Sequence, residues 1–147
     1  MAFTEGAYKL MSGTPPISCL YTATAGLDII QKIGIEPIRQ KSVEQTGKLI
    51  KNASERGFPL YTPVENEKRG GAVSIGLPFA HQVKQALLSK KVKVDFRKGT
   101  DEEPDVIRVG PHFYTKDDEI ELLFHLIDEI LASGEYKKFT SKSELVT

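Results

Sequence analysis

Residues 92–131 read VKVDFRKGTDEEPDVIRVGPHFYTKDDEIELLFHLIDEIL, and the order of signals within them sets the fold class. Val92–Phe96 and Val106-Ile107-Arg108-Val109 are short runs rich in β-branched residues, divided by an acidic loop, Gly99–Glu103, and Gly110-Pro111 stops the second run. Such a pair predicts two antiparallel strands with a tight polar link. Thr115-Lys116-Asp117-Asp118 then has the form of a helix start, a threonine with an acid three residues on. Behind it, Ile120, Leu123, Phe124, Ile127, Ile130 and Leu131 recur at helical spacing, the most regular apolar stripe in the chain.

Working towards the N-terminus, Pro78 leads into a helix carrying Phe79, Val83, Ala86 and Leu87. Ahead of it, Phe58–Val64 and Ala72–Leu77 read as a hairpin around the polar turn Glu65–Gly71. Two helices come first. Pro15-Pro16 opens one with Ile17, Leu20, Tyr21, Thr24 and Leu27 at helical spacing up to Gly34, and Glu36-Pro37 opens the next, with Ile38, Thr46, Leu49 and Ala53 on one face and Gly57 as its stop. Residues 1–13 show no clear period. The order ααββαββα, without strict strand–helix alternation, predicts an α+β domain: an antiparallel sheet of about four strands with helices packed on one face.

At 147 residues the chain has the length of a single domain, 1–147. Twenty basic and twenty acidic residues cancel and are scattered, which argues against a nucleic-acid patch or a polybasic membrane anchor and favours small or neutral partners. A single cysteine, Cys19, excludes a disulfide framework and a thiolate metal site and fits a reducing compartment. No apolar run reaches the ~18–20 residues of a bilayer span, and MAFTEGAYKL lacks the order of a signal peptide. A soluble, cytoplasmic protein is the expectation.

Arg108 stands in an apolar run, at a position that is normally buried or half-buried, and a guanidinium there needs an anion. Alternation puts Val106, Arg108 and Gly110 on one face of the strand and Ile107 and Val109 on the other. Arg108 is then either a solvated or structurally paired arginine, or a fork of donors for a ligand carboxylate, with Gly110 leaving room for the ligand. Thr14, ahead of two prolines, is either the N-cap of the first helix or a hydroxyl placed to meet a phosphate beside free helix amides. Asp95 and Arg97 share a strand face and suggest a structural pairing, and Arg69-Gly70-Gly71 suggests only a turn. Of the histidines, His81 and His125 lack a metal-ligand companion at a suitable interval, whereas His112 follows the Arg108 turn and is the one placed to meet a substrate. There is no glycine-rich phosphate loop, nucleophile elbow or His-x-x-x-His pair.

Five motifs in order, Ser12–Ile17, Ile38–Ser42, Arg69–Ser74, Val94–Arg97 and Ile107–Gly110, resemble the C-terminal part of kynureninases, over about Gly6 to Ala132. These are pyridoxal-phosphate enzymes of the class V aminotransferase fold, cytoplasmic homodimers of tryptophan catabolism and NAD biosynthesis, which hydrolyse kynurenine or 3-hydroxykynurenine to an anthranilate and alanine. The resemblance implies that Arg108 grips the substrate α-carboxylate, that Gly13 lies near the substrate's aromatic end, and that Thr14 reaches the cofactor phosphate across a dimer interface. It also implies a partner, the large cofactor-binding domain, whose lysine and pyridine-binding aspartate are not recognisable here; alone, this chain is expected neither to bind cofactor well nor to turn over. After Gly110 the run Pro111-His112-Phe113-Tyr114-Thr115 departs from the family's pattern. The resemblance implies that this loop shapes the ring pocket, so the departure bears on the substrate's ring and not on the carboxylate grip. The alternatives are the small domain of another class V aminotransferase-like enzyme, a non-catalytic amino-acid-binding domain, and a structural dimerisation domain in which Arg108 pairs with an internal acid.

Overall fold

A computed structural model describes residues 13–100 and 104–139, together with Gly6 and Lys9. The chain forms two compact units, Met1–Ile38 and Arg39–Thr147.

In the second unit, β1 (Val73–Gly76), β2 (Asp95–Arg97) and β3 (Val106–Val109) form an antiparallel sheet in the order β1-β3-β2. β3 is central, with Ile107 opposite Ile75 on one side and Phe96 on the other. That row faces inward: Val73, Ile75 and Ile107 are fully buried. The opposite row, Ser74, Arg108 and Asp95, is the outer face. Helices α3 (Ala80–Ser89) and α4 (Asp117–Ser133) cover the inner face, α3 packing on β2, β3 and α4. α4 contributes Ile120, Leu123, Phe124, Ile127 and Ile130 to the core, and α2 (Ile35–Glu55) contributes Leu49 and Ala53 at the predicted positions.

The sheet has three strands, not four. Pro59 and Pro63 strip N–H donors from Phe58–Val64, so this stretch cannot sustain a ladder. It meets β1 only at the bridge Leu60↔Ile75, where Tyr61 N–H donates to the Ser74 carbonyl at 3.0 Å and Gly76 N–H to the Pro59 carbonyl at 2.8 Å. A side chain replaces the next rung, Thr62 Oγ1 accepting from Ser74 N–H at 2.9 Å. The predicted polar turn includes a single 3-10 turn at Asn66–Lys68.

Two boundaries also move. β2 starts at Asp95, not Val92, because Val92 N–H turns back to the Leu87 carbonyl at 2.9 Å and closes the end of α3. α4 is capped at Lys116, not Thr115: Lys116 N–H donates to Glu119 Oε2 at 2.7 Å, while Thr115 Oγ1 accepts from His112 N–H at 2.9 Å. The threonine serves the turn ahead of the helix. Of the predicted acidic loop, Asp101–Glu103 lie outside the described residues; its base is closed by Gly99 N–H donating to Asp105 Oδ1 at 2.8 Å.

In the first unit, α1 spans Ile17–Ile33 and ends at Gly34, whose φ of +92° glycine adopts without strain. None of its residues is buried. Among the described residues no helix is long and apolar enough to cross a membrane.

Candidate functional site

Arg108 points outward from the middle strand with 46 % of its side chain exposed, about half-buried and on the outer rather than the core face. The anion it requires comes from the neighbouring strand. Asp95 sits directly opposite it in the β2–β3 register, and Asp95 Oδ2 accepts from Arg108 Nη2 at 2.8 Å and from Arg97 Nη2, also at 2.8 Å. One carboxylate oxygen therefore serves two guanidiniums, and the cluster keeps a net positive charge. An ion pair this exposed contributes only ~0–1 kcal/mol, so an incoming carboxylate could join or displace Asp95 at little cost. Of Arg108's nitrogens only Nη2 is engaged with a described residue; both forks of a guanidinium include Nη2, so a carboxylate gripped bidentately shares that nitrogen with Asp95 or displaces it.

This cluster borders an open cleft of about 920 Å³ on the second unit, within the ~300–1,000 Å³ typical of small-molecule sites. Arg108, Gly110, Pro111 and Thr115 line one side, and Ile120 and Leu123 of α4 form an apolar wall. Lys84, Lys91 and Lys93 add positive charge. Lys90 also lines the cleft, but its ammonium is held by Glu135 at 3.0 Å and Glu129 at 3.3 Å, and these two hydrogen bonds raise its pKa. The space beside the Gly110 backbone is not open: a Cβ there would meet the Ala72 Cβ at 3.6 Å, an ordinary contact.

The loop after Gly110 is held by a stripe on α2. Lys41 Nζ donates to the Phe113 carbonyl at 2.7 Å, Gln45 Nε2 to the Thr115 carbonyl at 2.7 Å, and Lys48 Nζ pairs with Asp117. Positions 41, 45 and 48 share one helical face. Asp117's carboxyl is lowered below the ordinary range chiefly by its bond to Lys48, then by Gln45. The loop thereby presents an aromatic cluster in which the exposed His112 ring stacks on Tyr114 with centroids 4.3 Å apart and lies 4.5 Å from Phe113. His112 is not among the residues lining the cleft.

Arg69 is the anchor that the sequence reading passed over. It is buried, its Nε donates to Thr46 Oγ1 at 3.1 Å, and its guanidinium also meets the Val64 and Val43 carbonyls. Arg39 adds a second grip, Nη2 donating to the Asn66 carbonyl at 2.5 Å and the Arg69 carbonyl at 3.2 Å. The available signal was Thr46, a polar residue on the apolar face of a helix, which needs a partner once buried.

Gly13 and Thr14 belong to the first unit and are exposed. Thr14 is not the helix cap: that position is Pro16, with no side-chain cap bond. The Thr14 hydroxyl has no hydrogen-bond partner among the described residues. Beside it, the first-turn amides of α1 have no acceptor within the helix except where Cys19 and Leu20 N–H reach the Pro16 carbonyl at 2.9 and 3.3 Å.

The sequence model of the kynureninase C-terminal domain matches residues 38–127. The chain belongs to this family. It is 32 % identical to the kynureninase of Geobacillus thermodenitrificans over 99 % of its own length and 33 % of the relative's, and 31 % identical to that of Bacillus anthracis over 96 % and 32 %. This chain thus spans about a third of the length of the curated relatives it matches. Among solved structures, an apo cysteine desulfurase from Thermococcus onnurineus NA1 superposes with a TM-score of 0.76 at 22 % identity, over 88 % of this chain and 35 % of that one. This likeness bears out the α+β fold expected of the kynureninase C-terminal domain.

Proposed function

We propose that this chain is the substrate-binding C-terminal part of a pyridoxal-phosphate-dependent kynureninase, acting in a homodimer. Together with the cofactor-bearing remainder, it hydrolyses kynurenine or 3-hydroxykynurenine with one water to an anthranilate and alanine. Family membership supports the reaction class. The observation that carries the site is the unequal cluster at the cleft, two guanidiniums on one carboxylate oxygen. Arg108 receives the amino-acid α-carboxylate, Asp95 and Arg97 hold its guanidinium in place beforehand, and the α2 stripe fixes the neighbouring loop. The aromatic cluster that includes His112, on the loop that follows Arg108's strand, is offered to the ring end of the substrate. The Thr14 hydroxyl and the first-turn amides of α1 fit one edge of a phosphate, as helix N-termini with a hydroxyl do. When bound, pyridoxal phosphate supplies the electron sink for bond cleavage, and this chain orients the substrate against it.

Arg108→Ala in the assembled enzyme tests the reading against a structural role for the arginine. Losing charge-assisted bonds worth about 1.5–3 kcal/mol predicts a kcat/KM for kynurenine lower by roughly 10- to 100-fold, carried mainly by KM. The α-amide of kynurenine should be nearly indifferent to the substitution. If Arg108→Ala instead lowers the unfolding midpoint of the chain and acid and amide suffer equally, Arg108 is a strut and the reading fails.

A further inference from the structure

On the outer face of the sheet one row runs Ser74, Arg108, Asp95, with Arg108 in the middle strand. Asp95 meets Arg108 from β2. What meets it from β1 follows from where the Ser74 backbone is engaged. Ser74 N–H donates to Thr62 Oγ1 at 2.9 Å and its carbonyl accepts from Tyr61 N–H at 3.0 Å, both on the side of β1 away from β3. In an antiparallel ladder, a residue whose N–H and C=O both turn away from its partner forms the non-hydrogen-bonded kind of pair. The Cα atoms then approach to about 4.5 Å rather than about 5.5 Å, and the side chains lie closer. Ser74 and Arg108 are such a pair.

The Ser74 side chain is half-buried, and its Oγ has no hydrogen-bond partner among the described residues. Its neighbours on the same face of β1 are small. Ala72, which lines the cleft, carries only a methyl group, and Gly76 must stay bare because a Cβ there would come within 2.9 Å of Tyr61 Cε2. A hydroxyl with one O–H to give is thus set beside the guanidinium, on the flank that Asp95 does not occupy.

We propose that Ser74 is a further substrate-binding residue, its Oγ–H donating to the carboxylate that Arg108 grips. The inference rests on the reading of Arg108 as the receptor of the α-carboxylate. Asp95 shares one oxygen between Arg108 and Arg97, so it keeps Arg97 when a ligand takes part of Arg108, and the ligand enters from the β1 side. One ligand oxygen then faces the guanidinium and the other the hydroxyl, whose proton stays on Ser74. A carboxylate offers two acceptor oxygens and a carboxamide only one, so the pair selects the acid.

The test is Ser74→Ala in the assembled enzyme, with Ser74→Thr as the variant that keeps the hydroxyl. Losing one hydrogen bond to a charged acceptor should raise KM for kynurenine roughly 10-fold while kcat changes less than about two-fold. Calorimetric titration with the kynurenine analogue that lacks the α-amine should show the same ~10-fold weakening without any need for turnover, and Ser74→Thr should restore most of the affinity. In an Arg108→Ala background, Ser74→Ala should add less than about two-fold, because the two donors serve one acceptor group. Unchanged KM and unchanged affinity in Ser74→Ala overturn the proposal. So does an equal loss for the analogue and its amide, which marks a packing role. If Arg108→Ala weakens binding of the acid and Ser74→Ala does not, this inference alone falls; if Arg108→Ala has no effect, the carboxylate reading falls and takes this one with it.

Discussion

α1 and α4 are the same length and both carry an apolar stripe, but α4 buries five of its side chains and α1 none. Their N-termini differ as well. α4 opens on Asp117, Asp118 and Glu119, carboxylates that suit the positive end of the helix dipole, with Lys116 N–H closed onto Glu119; α1 opens behind two prolines with no acid in its first turn. Periodicity therefore announces a helix and its apolar side without saying what meets that side. α4 is part of a finished core, whereas α1 has the composition of a core helix in an exposed position.

The largest effect that sharpens this contrast comes from Phe124, fully buried in α4. Phe124→Ala should lower the unfolding free energy of the chain by about 3–5 kcal/mol in urea titration; a loss below ~1 kcal/mol would mean that α4 is no more committed to the core than α1. Next is Arg69, which ties the polar turn to α2. Arg69→Ala leaves Thr46 and two carbonyls without their donor and should cost roughly 1.5–3 kcal/mol by the same titration, with faster proteolytic cutting between Val64 and Gly70.

A smaller effect concerns pH at the start of α4. Asp117's pKa is lower folded than unfolded, so its contribution is present above the unfolded value and is lost as pH falls through the folded one. Stability should therefore decline below about pH 4, and Lys48→Ala should flatten that part of the profile. The smallest effect belongs to α1: Leu27→Ala should change the stability of the isolated chain by less than ~0.5 kcal/mol, as expected for an exposed position. Any larger loss would show that the face is already covered and would erase the contrast with α4.

Much of the fold was legible in the sequence because the helices are long enough for a period to emerge. Thr46, Leu49 and Ala53 fell on the buried face of α2 as read, and the α4 stripe held throughout. The missing fourth strand was less visible: Phe58–Val64 has strand-like residues, and only weighing Pro59 and Pro63 as lost donors reduces it to a bridge. At the site, Arg108 was conspicuous as a charge in an apolar run, and Asp95 and Arg97 were expected to take part in pairing. That Asp95 would be the anion opposite Arg108 was not legible, since it depends on which residues the β2–β3 register brings face to face.

Chain chemistry alone was enough to specify the helices and their apolar faces, which strand carries the arginine, and, through its ordered motifs, the family. These are properties of neighbours along the chain, governed by side-chain period, proline geometry and capping. Contacts between distant residues had to await the folded molecule: Asp95 against Arg108, Lys41 and Gln45 on the loop carbonyls, and Arg69 buried on Thr46. Each depends on strand register or on two elements meeting at hydrogen-bond distance, and a one-residue slip would turn every such side chain to the opposite face.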